Sequence, residues 1–262
     1  MTTNLTFYGV ACFEATGPAG RILFDPFLTG NPVAPCGPDD LEPPDVILVS
    51  HAAFDHMGDA AAIARRTGAP VVCGADVGEL LHAQGVARSQ LRITVWGIRV
   101  EVGGVHVAPV ECHHWSVAKL PGGQLVTGTP MGFVVETEPG CRIYHFGDTA
   151  IFGDLRLIGE LHRPTVALLG CTQPWSLVAS GAGRVVTGEM SPDEAALAAE
   201  MLGVEVAVAC HYERPDHPDV KEFLEQVAAR DSSGRRRAEA LSAGETLVLE
   251  GSAITGGGRS ER

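Results

Sequence analysis

The chain has 262 residues, of which 45% are hydrophobic and 19% charged. That length suits one large α/β domain as well as two small ones, and the composition excludes a disordered chain. Lys and Arg number 19 against 32 Asp and Glu, a formal charge of −13, which argues against nucleic acid or any other polyanionic partner.

No stretch approaches the roughly 18 consecutive apolar residues of a membrane span, so no membrane partner is expected. The start, Met1-Thr2-Thr3-Asn4, has neither a basic region nor a small-residue cleavage site, and no signal peptide is expected. Seven cysteines are scattered without a Cys-x-x-Cys pair. That pattern predicts reduced thiols and a cytoplasmic protein.

In chain order, Leu5–Phe13 and Arg21–Phe24 read as strands joined by the turn Gly17-Pro18-Ala19-Gly20. Asp25-Pro26-Phe27 follows, and residues 29–45 form a Pro/Gly/Asp-rich loop. Val46–Val49 is a short β-branched run that predicts a buried strand. It leads into a polar turn holding His51, Asp55 and His56, and then into a helix over Ala60–Arg66 that Asp59 can cap. Pro70–Cys73 predicts a strand, and Asp76–Gln84 a helix capped by Asp76. Leu91–Val95, Gly97–Val102 and Val105–Val110 predict successive antiparallel strands, the last two turning at Gly103-Gly104.

Glu111-Cys112-His113-His114-Trp115-Ser116 interrupts the strand pattern. Neighbours on an extended segment face opposite ways, so one of His113 and His114 can enter a given site. Residues 117–129 read as a Gly-rich loop. Gly132–Glu136 and Arg142–Phe146 predict a hairpin, ending in Gly147-Asp148-Thr149. A helix over Asp154–Leu161 and a strand over Val166–Leu169 follow. Ser191-Pro192-Asp193-Glu194 is a capping box opening a helix to Leu202. Val204–Ala209 is a strand ending at Cys210-His211-Tyr212. Pro218–Arg230 is a helix, Arg235-Arg236-Arg237 a solvated helix face, and Thr246–Leu249 a last strand. One domain is expected over 1–251, with a flexible tail over 252–262.

Four times a predicted strand ends in residues able to ligate a metal: His51 with Asp55 and His56, His113 or His114, Asp148, and His211. Imidazole and carboxylate are the usual ligands of zinc, manganese and iron. Any one of them alone is more often a hydrogen-bonded structural residue. Four in the same positional role point to one edge of a sheet, where α/β proteins place their sites.

The order His51-x-x-x-Asp55-His56, His114, Gly147-Asp148-Thr149, His211 resembles the metallo-β-lactamase superfamily, whose members carry His-x-His-x-Asp-His, a further His, a bridging Asp and a final His. Asp25-Pro26-Phe27, Asn31-Pro32, Gly147–Asp154, Met190–Ala196 and His211-Tyr212 are similar to its lactonase-like branch, which includes ascorbate-6-phosphate lactonases. The similarity spans residues 5–225. It implies an α/β fold, a four-layer αββα sandwich with mixed sheets.

The resemblance also implies a ligand set. Asp55, His56, Asp148 and His211 hold one ion, and His51, His114 and Asp148 a second. Ala53 stands where the motif has its second histidine, and Val10 where the branch commonly has one. A methyl group cannot coordinate, so one firm ion and a weak or missing second are expected. The cofactor is one or two divalent ions per chain, zinc first, with manganese and iron as alternatives. The branch alignment favours His114 over His113, which would line the pocket. His145 would orient loops around the ligands, and Asp25 could do the same. Phe54, Trp115, Trp175 and Tyr212 flank the site segments and divide between pocket wall and core.

The expected activity is a metal-dependent hydrolase. A divalent ion lowers the pKa of its bound water to about 7, which yields hydroxide. Asp148 would hold that water or bridge two ions, and His51 would act as general acid/base. The substrate would be a small ester, lactone, thioester or amide. An iron-dependent oxidoreductase and a non-catalytic metal-binding protein with a decayed second site are the alternatives. A nuclease is disfavoured by the charge. A homo-oligomer stays open.

Overall fold

The computed structural model describes residues 2–120, 122–172, 189–232 and 234–250. The expected tail over 252–262 lies outside them. Strands β1 (Thr2–Gly9), β2 (Cys12–Gly17) and β3 (Gly20–Phe24) open the chain as an antiparallel meander. The single strand expected over Leu5–Phe13 is two. Val10, with φ 57, turns the chain, and Phe7 pairs with Phe13 across the bend. Residues 5, 7, 10, 11, 12 and 13 are all fully buried, so the apolar pattern carries no sign of the break.

Strand β4 (Val46–Val49) lies parallel to β3. Val46 and Leu48 face one apolar cluster, Ile47 and Val49 another, so burial on both faces produces a continuous apolar run instead of an alternating one. The one-turn helix α1 (Phe54–Met57) follows, then α2 (Ala60–Thr67), β5 (Val71–Cys73), α3 (Ala75–Ala83) and β6 (Leu91–Ile93). The expected side-chain caps are absent. The Asp59 carboxylate accepts from Leu28 N and Thr29 N (2.9 and 2.7 Å), bracing the loop after β3. The α3 helix starts one residue before Asp76, whose carboxylate instead accepts from the Ser116 hydroxyl.

The antiparallel set expected over residues 91–110 is split between two sheets. β6 pairs in parallel with β5 and ends the first sheet. β7 (Val100–Val102) and β8 (Val105–Val110) form a hairpin at the edge of the second. Period-two patterning does not say which sheet a strand joins. The loop expected over 117–129 contains a separate hairpin, β9 (Ser116–Lys119) with β10 (Leu125–Gly128).

The hairpin β11 (Gly132–Glu138) and β12 (Cys141–His145) is as expected. It is followed by α4 (Leu155–His162), β13 (Val166–Gly170), α5 (Pro192–Leu202), β14 (Val206–Cys210), α6 (Pro218–Arg230), β15 (Arg237–Glu239) and β16 (Thr246–Glu250). The α5 capping box forms: Glu194 N donates to Ser191 Oγ (3.3 Å) and Ser191 N to Glu194 Oε2 (2.9 Å). The basic run is not a helix face, because Arg237 opens β15 and Arg236 Nε donates to Val204 O (3.0 Å).

The first sheet runs β16-β1-β2-β3-β4-β5-β6, and the second β15-β14-β13-β12-β11-β8-β7. Leu5, Phe7, Phe13 and Phe24 of the first meet Phe133, Val135, Ile143 and Leu168 of the second in one apolar cluster. Ile63, Ala64, Val77 and Leu81 of α2 and α3 cover the outer face of the first sheet. Leu155, Ala195, Leu202, Val220 and Phe223 of α4, α5 and α6 cover the second. The result is an αββα sandwich with mixed sheets. No helix among the described residues is long and apolar enough to cross a membrane.

Tyr212 joins the two halves of this core. Its ring lies 4.9 Å from Phe7, and its hydroxyl donates to Leu241 O (2.6 Å) and accepts from Leu241 N (2.7 Å). Tyr212 therefore packs in the core. Tyr212→Phe strands the buried Leu241 amide, and should lower the unfolding free energy by about 1–3 kcal/mol. Urea unfolding checks this, and metal content per chain should stay at the wild-type value.

Candidate metal centre

The C-terminal ends of β3, β4, β12 and β14 deliver Asp25, His51, Asp148 and His211 to one edge of the sandwich. The single turn of α1 adds Asp55 and His56, both buried. Four of the five non-glycine residues with left-handed φ among the described residues lie here: Val10 (57°), Asp25 (40°), Asp148 (65°) and His211 (63°). Such backbone costs on the order of 1–3 kcal/mol per residue and gathers at functional sites. It is held by pairing between the sheets: His211 N donates to Val10 O (2.8 Å) and Val10 N to Tyr212 O (3.0 Å). Gly147, at φ 64, packs so closely on Met131 O that a Cβ there would collide with it.

Asp148 Oδ2 is the hub. It lies 2.9 Å from His56 Nε2, 3.5 Å from His211 Nε2 and 3.9 Å from His51 Nε2. Asp55 Oδ2 sits 3.5 Å from His211 Nε2 and 3.9 Å from His56 Nε2. The His51 ring stands edge-on to His114, with centroids 5.0 Å apart.

The far sides of the rings are fixed from behind. Ser50 donates its amide to Asp25 Oδ1 (2.8 Å) and its hydroxyl to Asp25 Oδ2 (2.7 Å). Its one hydroxyl proton thus committed, Ser50 Oγ accepts from His51 Nδ1 (2.9 Å). His56 Nδ1 donates to Asp25 Oδ2 (2.7 Å). His211 Nδ1 faces Glu189 Oε2 (2.8 Å) and the Thr172 carbonyl (3.4 Å), both acceptors. The network therefore puts a proton on every Nδ1. The three Nε2 atoms of His51, His56 and His211 converge, buried and without a hydrogen-bond partner, as does Asp148 Oδ1. Orphaned buried polar atoms need an explanation. Ligand atoms of His51, His56 and Asp148, and of Asp55, His56 and His211, each lie within 4.8 Å of one another. This donor set fits a divalent cation.

Electrostatics agree with that geometry. Burial works against charge on His56 and His211. Asp148, with Asp25 and Asp55 at His56 and with Glu189 and Asp55 at His211, outweighs it and raises both pKa values well above the usual imidazole range. Protons and cations thus compete for the same atoms. Burial and the neighbouring His56 push His51 down to about 3. That leaves its Nε2 without a proton, which suits ligation. Burial raises Asp25, but His56, His145 and His51 reverse this and hold it at about 2. Its depressed pKa stabilises the fold above about 3.9, and that contribution is lost as the pH falls through about 2.

His113 turns away from the cluster. It stacks on Phe152 at 4.3 Å and meets Glu111 Oε1 at 2.9 Å. His145 is fully buried, stacks on Phe24 at 5.2 Å and lies 3.8 Å from Asp25 Oδ2. Trp115 and Phe54 are 66% and 58% exposed beside the ligand segments, open to a bound molecule. Trp175 lies outside the described residues. Two residues of the network, Ser50 and Glu189, lie outside the set predicted from the sequence. Ser50 is signalled only by its place next to His51. Glu189, just before the α5 capping box, meets His211 only through the fold.

A sandwich with His and Asp residues gathered at the strand ends defines the metallo-β-lactamase class of fold. Residues 20–212 match the Beta-lactamase superfamily domain, and the chain belongs to that superfamily. It is 43% identical over 212 residues to a UPF0173 metal-dependent hydrolase of Rubrobacter xylanophilus, covering 80% of this chain and 81% of that one. It is 37% identical over 226 residues to UPF0173 metal-dependent hydrolase MK1542 of Methanopyrus kandleri, covering 86% and 91%. Among solved structures it is similar to Igni18, a metallo hydrolase of Ignicoccus hospitalis, with a TM-score of 0.74, 28% identity, and coverage of 95% and 99%.

His56→Ala or His211→Ala should each abolish metal retention, read as metal per chain after dialysis. Because the cation displaces protons, zinc affinity should fall at least tenfold between about pH 8 and about pH 6. Calorimetry in two buffers of different ionisation enthalpy should report proton release. A pH-independent affinity would remove these imidazoles from the ligand set.

Proposed function

We propose that the protein is a metal-dependent hydrolase of small ester, lactone, thioester or amide substrates. The observation that carries the reading is the convergence of three buried Nε2 atoms on Asp148 at a sheet edge. The names of the UPF0173 relatives support the reaction class. A divalent cation bound there supplies Lewis acidity, acidifying water and polarising the carbonyl under attack.

The chain's own residues do the rest. Asp55, His56, Asp148 and His211 form the firmer ligand set, and His51, His114 and Asp148 the weaker one. Asp148 Oδ1, buried and pointing into the cluster, would accept a hydrogen bond from the attacking water and orient it. Phe54 and Trp115 offer an apolar face to the substrate beside this edge. The charge of −13 favours a neutral small molecule over nucleic acid or an anionic membrane surface. All seven cysteines are free, which supports a reducing, cytoplasmic setting.

Ala53 opens α1 and offers only a methyl group between His51 and Asp55. We therefore assign one tightly held ion, with zinc the first to test and manganese and iron beside it. Ala53→His should raise bound zinc from about one towards about two ions per chain, by adding a third imidazole to His51 and His114. Wild type already holding two ions tightly would contradict the assignment.

The test of function is a panel of esters, lactones, thioesters and amides, assayed with protein loaded with each metal in turn. His114→Ala should reduce kcat/KM by about 100-fold or more, whereas His113→Ala should stay within about threefold. Trp115→Ala should raise KM with kcat kept, as expected for lost uniform binding. No turnover of any substrate by any loaded form would overturn the hydrolase reading.

A further inference from the structure

The two histidines nearest Asp148 are each held from behind by a buried carboxylate. For His56 that group is Asp25, which lies at the start of the Asp-Pro-Phe segment. For His211 it is Glu189, on the connection into α5, and no motif points to it. Glu189 is 6% exposed and His211 2%. Glu189 Oε2 lies 2.8 Å from His211 Nδ1, on the opposite side of the ring from the Nε2 that faces Asp55 and Asp148.

The surrounding fold makes room for this carboxylate. Gly170, the last residue of β13, lies beside it. A Cβ at Gly170 would come within 3.0 Å of Glu189 Oε2 and would collide with the Phe146 ring. The Thr172 carbonyl, at 3.4 Å, is a second acceptor on the same nitrogen. A carbonyl oxygen cannot donate, so the proton is on Nδ1 whatever the state of the carboxylate.

The geometry points to Glu189 as the positioning residue for His211. Together with the Thr172 carbonyl it holds Nδ1–H, it sets the ring's rotation so that Nε2 faces Asp55 and Asp148, and it adds negative charge that makes Nε2 a stronger donor to a cation. Carboxylate–histidine pairs of this kind raise metal affinity by about 10–100-fold. The inference rests on His211 being a metal ligand, as proposed above.

The test compares wild type, Glu189→Gln, Glu189→Leu and His211→Ala by competition for zinc with a chromogenic chelator. Each is also melted in chelator and in zinc. Glu189→Leu should weaken zinc binding by about 10–100-fold. Glu189→Gln keeps an oxygen acceptor for Nδ1–H and should recover part of that loss. In chelator the Gln variant should melt with wild type, while its zinc-induced rise in Tm shrinks. In ¹⁵N-histidine spectra of the zinc-loaded protein, His211 should carry its proton on Nδ1 in wild type, with that preference weakened in the Leu variant, where the Thr172 carbonyl alone holds it. Both Glu189 variants binding zinc as tightly as wild type, while His211→Ala does not, would overturn the positioning role alone. So would a fall in Tm equal in chelator and in zinc, which marks a packing role. Zinc retained by His211→Ala would instead overturn the ligand assignment beneath it.

Discussion

Burying an ionised carboxylate such as Asp25, fully shielded from solvent, costs several kcal/mol unless every lone pair is matched. Here the Ser50 amide, the Ser50 hydroxyl and His56 Nδ1 supply the match, with His145 close behind. The arrangement orders the whole edge. It pins the residue after β3 to the residue after β4, commits the Ser50 proton, and so sets the tautomer of His51. It also aims His56 Nε2 at Asp148. Removing that one carboxylate would leave a hydroxyl and an imidazole with competing choices of partner, and the converging Nε2 atoms would lose their common direction.

The sheets supply the rigidity this needs. Parallel neighbours β3 and β4 in one sheet, and β12, β13 and β14 in the other, all end at the same rim. The left-handed Asp25, Asp148 and His211 sit where strands stop and the site begins. Their strain is offset by burial and by the Val10–His211–Tyr212 backbone pairing that ties one sheet to the other. A site spread over both sheets therefore depends on the inter-sheet core behind it. Tyr212 belongs to that core, although it adjoins His211.

Much of this was legible in the residues. Val46–Val49 reads as a buried strand because its branched side chains pack both ways, and the polar turn after it marks the site. Ser191-Pro192-Asp193-Glu194 opens a helix as its capping chemistry dictates. Long-range partners were not legible. Asp59 and Asp76 look like caps locally, but their carboxylates serve the loop after β3 and Ser116. The bend at Val10 hides in an unbroken apolar run. The split between β6 and β7 is invisible to alternation, which sees a face and not a sheet. Glu189 meets His211 only once β13, β14 and α5 are packed.

We propose that a divalent cation sits on the Nε2 side of these histidines, held by Asp148 from the middle. A crystal of zinc-equilibrated protein, with diffraction recorded on both sides of the zinc absorption edge, tests it most directly. A strong anomalous peak is expected about 2.0–2.2 Å from His56 Nε2, His211 Nε2 and an Asp148 oxygen. At the His51–His114 side the peak should be weaker or missing. A peak on any Nδ1 atom, or a zinc bound only away from Asp148, would show that the Nε2 cluster is not the metal site.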